Sequence, residues 1–131
     1  MKQYLLDTHY LIWAMKEPGY INAKIQQIMQ EATNNISISL ASLWEIAIKQ
    51  KIGKLEMLDS LDNFKQDVSN CGFEWLQIKD KHLFATLEIP LLPNHRDPFD
   101  RLLIAQAKTE NLTIITDDPK FNLYENIEVL S

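Results

Sequence analysis

Asp97-Pro98-Phe99-Asp100-Arg101-Leu102-Leu103-Ile104-Ala105-Gln106-Ala107-Lys108-Thr109-Glu110 runs, after Asn111, into Leu112-Thr113-Ile114-Ile115-Thr116 and then Asp117-Asp118-Pro119. Asp97 followed by Pro98 is a side-chain cap with a first-turn proline, so a helix is expected over 98–110. Residues 112–116 are dense in Leu, Ile and Thr with no polar face, as in a strand covered on both sides in a parallel sheet. Two acids and a proline turn the chain out of that strand. A helix feeding a buried strand is the repeating unit of an α/β domain.

The same alternation extends toward both ends. Tyr4-Leu5-Leu6 reads as a first strand ended by Asp7, followed by a helix over 8–16 that stops at Pro18-Gly19. A helix over 22–32, a strand over 36–39 and a helix over 40–52 closed by Gly53 come next. A helix over 59–70, a strand over 73–78 and a helix over 80–88 follow. A loop over 90–98 carries three prolines, and a short last strand covers 127–130. The expectation is an α/β fold with a central, mainly parallel sheet, in one domain over 1–131 without linker or repeat.

The composition narrows the classes. The chain has 131 residues, 46% hydrophobic and 24% charged, which excludes a disordered tail, a coiled coil and a collagen-like repeat. No apolar run approaches the roughly 20 residues of a membrane span, and Asp7 interrupts the N-terminus too early for a signal peptide. A single cysteine, Cys71, forms no intramolecular disulfide, so a reducing, cytoplasmic location and a structural role for the thiol are expected. The net charge of −5 argues against a broad phosphate-binding surface and suits a site that concentrates carboxylates.

Sites in open parallel sheets form beyond the carboxyl ends of the strands. Asp7, Asp117 and Asp118 stand at such ends, Glu45 lies early in the helix after the second strand, and Asp97 and Asp100 open the 98–110 helix. Glu45 belongs to a helix that is apolar nearly all round and is therefore expected to be buried, with Ser42, Glu45 and Lys49 as a narrow polar stripe. Each acid also has an ordinary explanation. Asp7, Asp97 and Asp118 precede helix starts and serve as caps, and Asp100 suits a first turn. Ser42-x-x-Glu45 matches a capping box. Glu45 with Lys49, and Asp97 with Arg101, fit i,i+4 pairs.

Capping does not account for so many acids on one rim. Crowded carboxylates take up protons or hold a cation, and oxygen donors with no His or Cys partner favour magnesium or manganese over zinc. Spacing alone therefore points to a metal-dependent hydrolase. Trp13, Trp44 and Trp75 lie in apolar runs and are expected in the core. His82 is expected on a helix surface or partly buried, and His95 as either a nucleic-acid contact or a plain loop residue.

Four motifs occur in order: Leu5-Leu6-Asp7-Thr8-His9-Tyr10-Leu11-Ile12-Trp13, Ser42-Leu43-Trp44-Glu45-Ile46-Ala47-Ile48-Lys49, His95-Arg96-Asp97-Pro98-Phe99-Asp100-Arg101-Leu102-Leu103-Ile104-Ala105-Gln106-Ala107 and Thr116-Asp117-Asp118-Pro119-Lys120-Phe121. Together they resemble the PIN-domain ribonucleases, in particular the VapC-like toxins of bacterial type II toxin–antitoxin pairs. The resemblance implies a three-layer α/β/α domain that cleaves RNA with Mg2+ or Mn2+, forms homodimers and is inhibited by a cognate antitoxin. It implies a catalytic, metal-binding quartet at Asp7, Glu45, Asp100 and Asp118. The family's Thr-x-Asp motif selects Asp118, leaving Asp117 as a turn residue or an outer ligand. Thr8 and Thr116 become supporting hydroxyls, and Lys49, Arg96 and Arg101, with Lys51 and Lys54, phosphate contacts. Two other classes stand beside this one. A catalytically silent PIN-fold module for binding or dimerisation keeps the fold. A phosphoryl-accepting receiver-like domain needs an acid after the 73–78 strand at a place where this chain has none.

Overall fold

A computed structural model describes residues 2–56 and 59–131. Strands β1 (Gln3–Leu6), β2 (Asn35–Ser39), β3 (Glu74–Leu76), β4 (Thr113–Ile115) and β5 (Val129–Leu130) form one sheet in the order β3-β2-β1-β4-β5. Every pairing is parallel. The helices are α1 (Thr8–Lys16), α2 (Ala23–Gln30), α3 (Leu40–Lys51), α4 (Leu61–Asn70), α5 (Asp80–Ala85) and α6 (Pro98–Glu110).

The two-residue period of the strands divides the core into two halves. Tyr4 and Leu6 of β1, Ile36 and Ile38 of β2 and Ile115 of β4 pack with Tyr10, Leu11, Ile25, Ile46, Phe64 and Val68. Those six side chains come from α1 to α4. Leu5 and Ile114 point the other way and pack with Leu103, Ile104 and Ala107 of α6 and with Phe121. Helix α5 packs on α6. The result is the three-layer α/β/α arrangement, with a sheet that is wholly parallel.

Several boundaries are tighter than the sequence pattern implies. The edge strands β3 and β5 cover three and two residues, and β4 covers three. The 80–88 helix is α5 followed by a tighter turn at Thr86–Glu88. α6 stops at Asn111, whose left-handed backbone (φ 58°) ends the helix.

Two expectations are corrected. Helix α3 is not enclosed: Ile46 faces the first core, whereas Trp44 is 64% exposed and meets Phe99 edge to face. A helix apolar nearly all round has no single hydrophobic face that would say which side stays open, and here the side of Trp44 turns outward. Trp13 and Trp75 are half-buried against the first core. Cys71 is exposed at the C-terminal cap of α4 and has no place in the core.

Candidate functional site

Where β1 ends, the chain turns directly into α1, and Asp7 is the hinge. Its Oδ1 accepts the Tyr10 N–H at 2.8 Å, capping the helix, and its Oδ2 accepts the Thr116 hydroxyl proton. The Asp7 N–H donates to the Ile115 carbonyl at 3.0 Å, which ties the ends of β1 and β4 together. Thr116 Oγ1 in turn accepts the Asp118 N–H at 3.1 Å, and Asp118 Oδ1 accepts from Lys120 N, starting the Pro119–Leu123 turn. Burial pushes the Asp7 carboxyl up to about 6, against the lowering effect of the Thr116 and Tyr10 hydrogen bonds.

Helix α6 presents the next pair. Asp97 accepts from Phe99 N and Asp100 N as the cap. Asp100, within the first turn, lies with Oδ2 2.9 Å from His95 Nε2. Burial raises the Asp100 carboxyl, the His95 hydrogen bond opposes it, and the charges of Asp97 and Glu45 add to the rise. Helix α3 brings Glu45, whose Oε1 accepts from Thr8 Oγ1 at 2.8 Å and whose Oε2 lies 3.5 Å from Lys49 Nζ. Thr8 Oγ1 also lies 2.8 Å from the Oγ of buried Ser42.

A pocket of about 160 Å³ collects these groups, lined by Asp7, Thr8, His9, Glu45, Asp97, Asp100, Asp117, Asp118 and Phe121. For Asp7 and Asp118 capping and convergence are both true, because the helical turns they cap leave the carboxyl ends of β1 and β4. Ligand atoms of His95, Asp100 and Asp118 all lie within 4.8 Å of one another. Among the described residues, Lys49 is the one Lys or Arg within ion-pair distance of this group. The carboxylate oxygens, short of cations and with two raised carboxyls, fit a divalent ion of hard preference.

Other sequence expectations resolve differently. The Ser42-x-x-Glu45 capping box does not form, because the helix starts earlier, with Ser39 as its cap on Ala41 N. Arg101 does not pair with Asp97. Its guanidinium donates to the carbonyls of Pro90 (2.8 Å), Thr86 (3.1 Å) and Ile89 (3.0 Å), which ties the loop to α6. Arg96 is exposed and lines a separate apolar groove of about 980 Å³ with Trp44, Ile48, Leu87, Phe99 and Leu102. His82 is fully buried, not at the surface: Nδ1 accepts from Lys79 N at 3.0 Å, and Nε2 meets Glu110 at 2.8 Å.

His95 is the residue that sequence reasoning left undecided and the structure places at the site. Its one sequence signal is position, two residues before the Asp97 cap and five before Asp100.

The PIN domain family model matches residues 4–126. Among curated proteins no relative matches the chain. Solved structures do share the fold. The VapBC2 complex from Rickettsia felis bound to a DNA fragment from its promoter aligns at TM-score 0.69 and 19% identity, over 98% of this chain and 97% of that one. DNA-bound VapBC from Salmonella typhimurium aligns at 0.70 and 17%, over 99% and 98%. VapBC-1 from nontypeable Haemophilus influenzae aligns at 0.69 and 17%, over 98% and 97%.

Proposed function

The chain belongs to the PIN-domain family, and from that premise we propose that it is a metal-dependent endoribonuclease, the toxin of a type II toxin–antitoxin pair. One observation carries the reading: Asp7, Glu45, Asp100 and Asp118, from four distant segments, line a single small pocket. Asp7, Asp100 and Asp118 would hold the ion, Mg2+ or Mn2+, with Glu45 completing the set. Such an ion, when bound, lowers the pKa of a coordinated water and neutralises charge on phosphate oxygens.

The chain's own residues prepare that chemistry. Thr116 and the Tyr10 N–H fix both oxygens of Asp7, so its carboxylate cannot rotate away. Thr8 does the same for one oxygen of Glu45. Asp117 borders the pocket as an outer group. Lys49 and the exposed Arg96 are the phosphate contacts of an RNA substrate; each would supply a point of charge rather than base readout.

The apolar groove beside the pocket suits the antitoxin. Trp44 and Glu45 are adjacent in sequence, as are Phe99 and Asp100, and each pair sets an aromatic ring on the groove and an acid on the pocket. An apolar helix bearing an arginine would fill both at once. A homodimer and a cytoplasmic location complete the reading. Among the described residues no helix is long and apolar enough to cross a membrane.

Metal-dependent stabilisation tests the site. Mn2+ should raise the melting temperature of the wild-type protein and leave Asp7→Asn unchanged. No stabilisation of either protein would favour the catalytically silent module.

A further inference from the structure

We infer that His95 is a positioning residue of the site: its Nε2, hydrogen-bonded to Asp100 Oδ2, fixes which oxygen of that carboxylate is left for the cation. The inference rests on the metal-site reading of Asp100 above. The ring is 3% exposed and lies against Phe121 and Tyr124, with centroids 5.5 and 5.4 Å away. Its backbone is tied at both ends, the N–H donating to the Leu92 carbonyl at 3.2 Å and the carbonyl accepting from the Tyr124 hydroxyl at 3.3 Å. A side chain held on all sides cannot follow Asp100. Asp100 must follow it.

Nε2 lies 2.9 Å from Asp100 Oδ2, so that oxygen is occupied by the ring and the other is left to face the pocket's acids. Hydrogen-bonded partners behind ligating carboxylates change metal affinity by about 10–100-fold when removed.

The test uses the full chain and calorimetry with Mn2+. His95→Phe keeps the aromatic packing and removes the donor, and should weaken binding about 10–100-fold. His95→Gln, which restores an N–H at similar reach, should recover most of that loss. Unchanged affinity in folded His95→Phe, or no recovery in His95→Gln, would contradict the role. If His95→Phe does not fold, His95→Gln decides: affinity near that of the wild type supports the role, and a loss of about 10–100-fold contradicts it. A wild type that binds no Mn2+ breaks the functional reading instead.

Discussion

Asp7 is pulled in two directions. The helix N-terminus favours its charge, while burial opposes it and prevails, lifting the carboxyl from 3.8 to about 6. A carboxyl raised on folding binds its proton more tightly in the native state, so its stability contribution is present below about 3.8 and is lost as pH rises through 6. In chelator, the stability of the wild type relative to Asp7→Asn should fall between pH 4 and pH 7. Urea denaturation at several pH values measures it, and parallel profiles would remove the buried-carboxyl assignment. Asp7, Asp100 and Asp118 were legible one by one, because each ends a strand or opens a helix, and Glu45 stood out as an acid on a helix apolar nearly all round. His95 was not, because its meaning lies in contacts to Phe121 and Tyr124, far along the chain and outside any local period.

Helix α6 shows what an element adds to its residues. Asp97 caps it and so aims the turn that carries Asp100. Asp97→Ala should cost about 1 kcal/mol in urea denaturation and weaken Mn2+ binding as well. A stability loss with unchanged Mn2+ affinity would show that the cap does not orient Asp100. Arg101 of the same helix pins the 86–90 segment through three carbonyls, so Arg101→Met should cost about 2 kcal/mol. A cost near zero would return this side chain to the phosphate contacts. The cap and the first-turn proline made α6 readable in advance. The orientation of α3 was not readable, because leucine, isoleucine and tryptophan surround it and burial alone distinguishes Ile46 from Trp44.

At the scale of the molecule, the order β3-β2-β1-β4-β5 puts β1 at the centre and delivers Asp7 and the end of β4 to the same rim. The alternation of helices and strands showed that the sheet is parallel. It did not contain the strand order, which depends on crossovers that no local pattern records. The same architecture leaves an apolar groove open beside the acids. Leu87, 89% exposed, is a groove residue with little to lose in the free protein. Leu87→Glu should leave stability within about 0.5 kcal/mol and abolish co-purification with the cognate antitoxin. Retained co-purification would place the antitoxin elsewhere, and a monomer in place of a dimer would assign the groove to a second copy. The central claim is a carboxylate-held cation that cuts RNA. Its most direct measurement is cleavage of a pool of structured cellular RNAs by purified protein, with Mg2+, with Mn2+ and with chelator, beside Asp7→Asn prepared identically. The account predicts cleavage that requires the metal and disappears in the variant; equal cleavage by both proteins, or none from folded, metal-loaded wild type, would contradict it.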